Sequence, residues 1–117
     1  MIRPDVEVEI FGGFDESERA LPKDERERLT IALNNLVQRL RKSGWCSRFY
    51  KPRYAVFPEH VKRENCSLYL FNATKDSIVI LTFDDDPLFN QKVLGLFGIA
   101  NSQNKVEIYN NIAQKLY

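Results

Sequence analysis

Cysteine and histidine are scarce in this chain, which has two cysteines and a single histidine. Cys46 and Cys66 stand twenty positions apart and form no Cys-x-x-Cys pair, so a structural zinc site would need acidic ligands from elsewhere in the sequence. We therefore predict that both thiols are free and behave as small, partly buried apolar side chains. No metal site is expected.

Long apolar runs are also absent. No segment approaches the roughly 18 continuous apolar residues that a membrane span needs, and the residues from Met1 to Asp5 lack the apolar stretch of a signal peptide. The formal net charge is +1, so attraction to an acidic partner has to come from a local patch. The chain has 117 residues, of which 44% are hydrophobic, and this suffices for one domain with its own core. We therefore predict a single cytoplasmic domain, residues 1–117, with no membrane partner.

Basic residues are concentrated in residues 39–63, which hold eight of the seventeen lysines and arginines but only one acid, Glu59. Aromatic side chains are interspersed among these cations. The cations are Arg39, Arg41, Lys42, Arg48, Lys51, Arg53, Lys62 and Arg63, and the aromatic residues are Trp45, Phe49, Tyr50, Tyr54 and Phe57. Cations that attract phosphate and rings that stack on bases favour nucleic-acid binding. A solvated loop with core aromatics would have the same composition.

The first half of the chain predicts a strand and two helices. Residues 6–11 alternate apolar and polar side chains, as half-buried strands do, and residues 15–20 predict a short helical turn. A long amphipathic helix begins at Pro22, and Gly44 supplies its end.

The second half predicts strands followed by a helix. Residues 53–57 predict a short strand, and residues 67–71 and 78–83 an antiparallel hairpin. Residues 88–99 favour a helix over a further strand, and a last helix is expected to begin at Asn104. This order predicts an α+β fold with an antiparallel sheet. The amino-terminal helices and the carboxy-terminal helix are expected to be segregated to one face of that sheet.

Three stretches follow the pattern of a known family: residues 8–11 followed by Phe14, residues 21–29, and the strand-like residues 79–81. Through them the chain resembles the bacterial RelE/ParE toxin superfamily over about residues 6–83. The resemblance implies a RelE-like domain whose partner is a cognate antitoxin protein. For catalytic members it further implies an endoribonuclease, independent of metal and cofactor, that cleaves messenger RNA on the ribosome with arrayed lysines and arginines.

The resemblance implies catalytic roles for Lys51, Arg53 and His60. Lys51 and Arg53 would share one face of an extended segment and hold the scissile phosphate, stabilising charge on the phosphorane. His60 has the only side chain whose ordinary pKa makes it an easy proton shuttle. The alternatives are that Lys51 and Arg53 are edge-strand charges that discourage strand addition, and that His60 is a solvated loop residue.

The remaining candidate residues would contact RNA without taking part in catalysis. Arg48, Lys62 and Arg63 are expected to contact phosphate, and Tyr50 or Tyr54 to stack on a base. Tyr50 and Tyr54 do not fall cleanly on the strand face that would carry Lys51 and Arg53. At least one of the two tyrosines is therefore expected to belong to the core.

Asp84, Asp85 and Asp86 depart from the family pattern, because catalytic members carry a basic residue at this position. We expect the three carboxylates to cap a following helix and to be solvated, in preference to binding magnesium. Three functions stay open: a RelE-like ribonuclease or translation inhibitor, a non-catalytic RelE/ParE-fold module that binds a protein, and a regulatory module. The regulatory module would use this acidic loop or the apolar residues 93–99 as its contact surface.

Overall fold

The computed structural model describes residues 5–117. The prediction that there is no signal peptide rests mostly on residues 1–4, which lie outside the described residues. Three α-helices and four strands follow one another along the chain, besides a short 3₁₀ helix at Arg63–Asn65. They are β1 (Asp5–Ile10), α1 (Gly12–Arg19), α2 (Lys23–Ser43), β2 (Leu68–Asn72), β3 (Ile78–Asp86), β4 (Gln91–Ala100) and α3 (Lys105–Leu116). The predicted α+β class is confirmed. Within residues 5–117, none of the helices combines the length and apolarity that crossing a bilayer requires.

The four strands form one mixed sheet in the order β1-β4-β3-β2. β2, β3 and β4 are antiparallel neighbours, as the predicted hairpin requires, whereas β1 pairs with β4 in parallel. The sheet is therefore not purely antiparallel. Parallel neighbours need a long crossover connection, and the chain from α1 to β3 supplies one.

The two faces of the sheet carry separate cores. Along β3, Val79 and Leu81 pack with buried residues of α1 and α2, whereas Ile78 and Ile80 pack with Tyr109 of α3. α1 and α2 thus cover one face and α3 the other, and the prediction that all helices segregate to one face is wrong. The physical reason is that β3 is apolar at every position from Ile78 to Leu81, so both of its faces need a cover.

The two cysteines lie in different cores. Cys46 belongs to the α1–α2 side and Cys66 to the α3 side, and each is only 1% exposed. Neither forms a disulfide. The prediction of two free, apolar thiols is confirmed.

The helix predicted over residues 88–99 is wrong, because Gln91–Ala100 form β4. Its apolar spacing suits a strand buried on both faces as well as a helix. Gly95 fits this strand closely, since a Cβ there would lie 2.6 Å from Thr82 Oγ1 on the neighbouring β3 and would force that side chain to move. The register also shifts within β4, where Phe97 is the extra residue of a β-bulge.

The strand predicted over residues 53–57 is also wrong. Here the backbone turns, and the Ala55 amide donates to the Pro52 carbonyl oxygen at 3.2 Å. Pro52 and Pro58 flank the segment and have no amide hydrogen for a ladder, which disfavours a strand.

The ends of the helices follow local signals. α2 ends at Gly44, which adopts φ 74° and donates its amide to the Leu40 carbonyl oxygen at 2.8 Å, as predicted. α3 begins directly after Asn104, but that side chain does not cap the helix. It accepts the Asn101 amide at 2.8 Å instead, which closes the preceding turn.

Tyr109 anchors α3 to the sheet. Its side chain is 0% exposed, and its hydroxyl donates to the Leu68 carbonyl oxygen at 2.7 Å. Burial raises the pKa of this hydroxyl, so it stays a donor at neutral pH. We expect Tyr109→Phe to lower the free energy of unfolding by about 1–2 kcal/mol, because the buried carbonyl loses its partner.

Urea denaturation of the purified protein measures this loss. Tyr54→Phe is the matched control, because Tyr54 is 69% exposed and makes no hydroxyl hydrogen bond within residues 5–117. Equal stabilities for Tyr109→Phe and the wild type would contradict the anchoring role.

Candidate nucleic-acid interface

The candidate site is the irregular segment between α2 and β2, residues 44–67, which we call the basic loop. Tyr50 fastens it to the edge of the sheet through a backbone bridge to Leu70, whose amide and carbonyl groups both pair with those of Tyr50. The Tyr50 hydroxyl donates to Asn72 Oδ1 at 2.7 Å, and Lys105 Nζ lies 5.6 Å from the centre of the Tyr50 ring. Tyr50 packs on the α3 core. It therefore positions the loop and is not presented for stacking.

Lys51 and Arg63 clasp the two arms of the basic loop. Lys51 Nζ donates to the Arg63 carbonyl oxygen, and Arg63 Nη2 donates back to the Lys51 carbonyl oxygen at 3.4 Å. Arg63 Cζ also lies 6.0 Å from the centre of the Phe57 ring. Desolvation lowers the pKa of the Lys51 ammonium. These contacts hold the loop closed, with Lys51 half-buried and Arg63 exposed.

Arg53 and Tyr54 project from the turn between the two arms. Arg53 Cζ lies 5.7 Å from the centre of the Tyr54 ring, and Tyr54 is 69% exposed. Because the backbone turns after Pro52, the extended strand that would place Lys51 and Arg53 on one face is absent. The structure instead couples Arg53 with Tyr54, and Lys51 with Arg63.

His60 and Lys62 lie on the return arm of the loop. Both are exposed, and His60 lies within a turn in which the Val61 amide donates to the Pro58 carbonyl oxygen at 2.9 Å. Within residues 5–117 no side chain makes a hydrogen bond to the His60 ring that would fix its orientation. His60 is thus accessible to a ligand, but no second side chain holds it in place.

An aromatic cluster that sequence analysis did not single out as a site lies behind Lys51. Tyr69 of β2 stacks on Phe49, with ring centres 5.7 Å apart, and meets Trp45 edge-on at 5.6 Å. Lys51 Nζ lies 5.2 Å from the centre of the Tyr69 ring. Trp45 stays 45% exposed, so one edge of the cluster faces solvent. The position of Tyr69 in an apolar strand of the predicted hairpin gave no sign of this contact with the basic loop.

Arg48 lies apart from these contacts. It lines a cleft with Arg39 of α2, and no hydrogen bond or cation–aromatic contact among the described residues joins it to Lys51, Arg53 or Arg63. Arg48, at the start of the basic loop, is therefore separated from the other predicted phosphate-binding cations, which lie between residues 51 and 63.

Comparison of the chain with protein-family models and with curated proteins gives no match. Its function therefore has to be inferred from its own surface.

Asp84, Asp85 and Asp86 do not cap a helix, because β3 runs through them and a turn follows. Asp85 pairs with Lys92, and Asp86 Oδ1 accepts the Leu88 amide at 3.2 Å. Successive strand residues point to opposite faces, so Asp85 lies on the face opposite to Asp84 and Asp86. In the part of the chain that the structure describes, no three His, Cys, Asp or Glu side chains are grouped to hold a metal ion.

Proposed function

We propose that this protein binds single-stranded RNA through the basic loop and acts as a RelE-like translation inhibitor. The Arg53–Tyr54 pair carries the proposal, because it presents a cation and a largely exposed ring, 5.7 Å apart, on one turn. An exposed ring can stack on an unpaired base while a neighbouring guanidinium contacts its phosphate. Lys62 and Arg63 add positive charge on the same loop.

Two further features support the proposal. The Lys51–Arg63 clasp holds the loop in one shape, so less conformational entropy is lost when a ligand binds. Two amino-terminal helices followed by the antiparallel strands β2, β3 and β4 agree with the architecture that the resemblance implies.

RNA cleavage is a more specific proposal than RNA binding. The ribose 2′-hydroxyl would attack the adjacent phosphorus and expel the 5′-oxygen, so one group must accept a proton and another must donate one. Lys51 suits the donor role because desolvation lowers its pKa, and exposed His60 suits the acceptor role. Lys51 would first have to release the Arg63 carbonyl oxygen. The contacts therefore favour binding over cleavage.

RNA binding is tested by fluorescence anisotropy with a labelled single-stranded RNA at fixed salt concentration. We expect the variant Arg53→Gln, Tyr54→Ala to raise the dissociation constant at least about tenfold, since one stacked base contributes about 1–3 kcal/mol. Lys115→Gln, which removes an exposed cation from α3, is the control for net charge. An unchanged dissociation constant in the double variant would overturn the proposal.

Cleavage is tested by primer extension on messenger RNA from a translating extract. Cuts made by the wild type and lost in the variant Lys51→Ala, Arg53→Ala would establish a ribonuclease that works through the basic loop. Slower translation without cuts would establish an inhibitor that binds but does not cleave. Unaffected translation would remove the inhibitor function.

The tip of the β3–β4 hairpin favours a second candidate, a non-catalytic module that binds a protein. Leu88 and Phe89 are 83% and 73% exposed there, next to the acidic residues 84–86. Exposed apolar side chains rimmed by charge are typical of protein contacts. If this function is correct, expression of the wild type should arrest growth without RNA cleavage, and Leu88→Ser with Phe89→Ser should abolish that arrest.

A further inference from the structure

A second basic feature lies between α2 and the end of β2, where a cleft of about 210 Å³ opens to solvent. Arg39 and Asn35 come from α2, Arg48 from the basic loop, and Asn72 from the last position of β2. The volume is below the roughly 300–1,000 Å³ of pockets for drug-sized ligands. It suits a small group with a few waters, each of which occupies about 30 Å³.

The charged groups of this cleft are both positive. No carboxylate lines it, and within residues 5–117 neither the Arg39 nor the Arg48 guanidinium forms a salt bridge. The carboxy-terminal end of α2 favours nearby cations and gives one reason for Arg39. The helix end gives no such reason for Arg48, which follows it in the chain and lines the same cleft.

One neutral side chain adds a hydrogen-bond donor. Asn35 makes no side-chain hydrogen bond within the described residues, so its amide nitrogen is available. The Asn72 side chain does not contribute, because it shares a strand face with Leu70 and accepts the Tyr50 hydroxyl at 2.7 Å on the α3 side of the sheet. Two guanidinium groups and one amide donor form a set that an anion with several oxygens would satisfy.

The inner wall of the cleft is apolar. Phe71 is 6% exposed and Cys46 1% exposed, and both line the cleft. Arg39 and Arg48 are themselves exposed, so the apolar wall shields only the inner side of a bound anion from water.

We propose that this cleft binds a phosphate group, held by Arg39 and Arg48. The phosphate belongs either to a free small molecule, such as inorganic phosphate or a nucleoside monophosphate, or to the end of an RNA strand. The two sources share the same recognition chemistry. The proposal does not depend on RNA binding by Arg53 and Tyr54, which lie on the basic loop outside the cleft.

Isothermal titration calorimetry with inorganic phosphate, adenosine monophosphate and a short RNA, bearing either a 5′-phosphate or a 5′-hydroxyl, tests the cleft. We expect Arg39→Gln and Arg48→Gln each to weaken phosphate binding about tenfold or more, because each removes a charge-assisted hydrogen bond. Arg41→Gln is the matched control: it removes an exposed cation from the same helix turn and does not line the cleft.

Tighter binding of the 5′-phosphorylated RNA than of the 5′-hydroxyl RNA, with the difference lost in Arg39→Gln and in Arg48→Gln, would identify an RNA end as the source. Equal affinities of the two RNAs, together with binding of free phosphate or the monophosphate, would identify a free phosphate compound. In the wild type, phosphate should shift amide resonances of residues 35–39, 46–48 and 71–73, a readout that needs no variant. Absence of phosphate binding, or equal loss in Arg41→Gln, would overturn the proposal.

Discussion

Replacing Glu25 by alanine is expected to lower the free energy of unfolding by about 3 kcal/mol, as breaking a buried, hydrogen-bonded charge does. Glu25 lies in the first turn of α2 and is 6% exposed. Its carboxylate accepts hydrogen bonds from the hydroxyls of Thr74 and Ser77 in the β2–β3 turn, the latter at 2.9 Å. Arg28 Nη2 donates to the other carboxylate oxygen, also at 2.9 Å. The variant would leave two hydroxyls of that turn without an acceptor.

The effect of Glu25 should depend on pH. The hydrogen bond from Thr74, assisted by Arg28 and Ser77 and opposed by burial, holds the pKa of Glu25 below the ordinary value of 4.5. A carboxylate with a depressed folded-state pKa stabilises the fold fully above its unfolded value, and this stabilisation is lost as pH falls through the folded-state pKa. The stability difference between the wild type and Glu25→Gln should therefore be largest above pH 4.5 and shrink below it.

Urea denaturation between pH 3 and pH 7 measures both effects. Glu27→Ala is the matched control, because Glu27 lies in the same turn of α2, is exposed and makes no hydrogen bond with its side chain within residues 5–117. We expect that control to change stability by less than about 0.5 kcal/mol. If Glu25→Ala were as stable as Glu27→Ala, the contact of α2 with the β2–β3 turn would contribute nothing to the free energy of unfolding.

Gly13→Ala is expected to lower the free energy of unfolding by about 2–3 kcal/mol, at the upper end of the usual range for overpacking. A Cβ on Gly13 would lie 2.8 Å from the Phe97 carbonyl oxygen, a backbone atom of β4. Because no flexible side chain can move aside, α1 would have to shift away from the sheet. That shift would also disturb Phe14, which is 2% exposed in the core beneath α1.

Gly12→Ala is the control for this prediction. Gly12 is the neighbouring residue of the same helix turn, and a Cβ there would meet nothing within 4 Å. Alanine favours a helix over glycine by up to about 1 kcal/mol, so Gly12→Ala should be neutral or slightly stabilising. Equal destabilisation by both substitutions in thermal or urea unfolding would rule out the close contact with β4.

Local features of the sequence were enough to predict α2 and the β2–β3 hairpin. α2 begins after Pro22 and ends at Gly44, whose left-handed conformation needs no distant contact. The hairpin follows from two apolar stretches separated by turn-forming residues. Such signals act between residues close in the chain, so they can be recognised without the tertiary structure.

Tertiary context decided β4 and the path of the basic loop. The apolar spacing in residues 91–100 suits a helix or a strand, and pairing with both β1 and β3 selected the strand. Residues 53–57 have strand-like composition, but they do not pair with a neighbouring strand and therefore turn. Pairing partners that lie far away in sequence supply the free energy that local propensity does not.

For the candidate sites, the sequence by itself determined which residue types were available: a concentration of cations and aromatic rings after α2, and acids in the first turn of that helix. Only the tertiary structure decided their contacts. It joined Lys51 to Arg63, set Arg48 beside Arg39, and buried Glu25 beneath a turn about 50 residues away. These contacts depend on distances between residues that are far apart in the chain, and those distances are set when the sheet and helices pack. Composition and periodicity therefore cannot predict them.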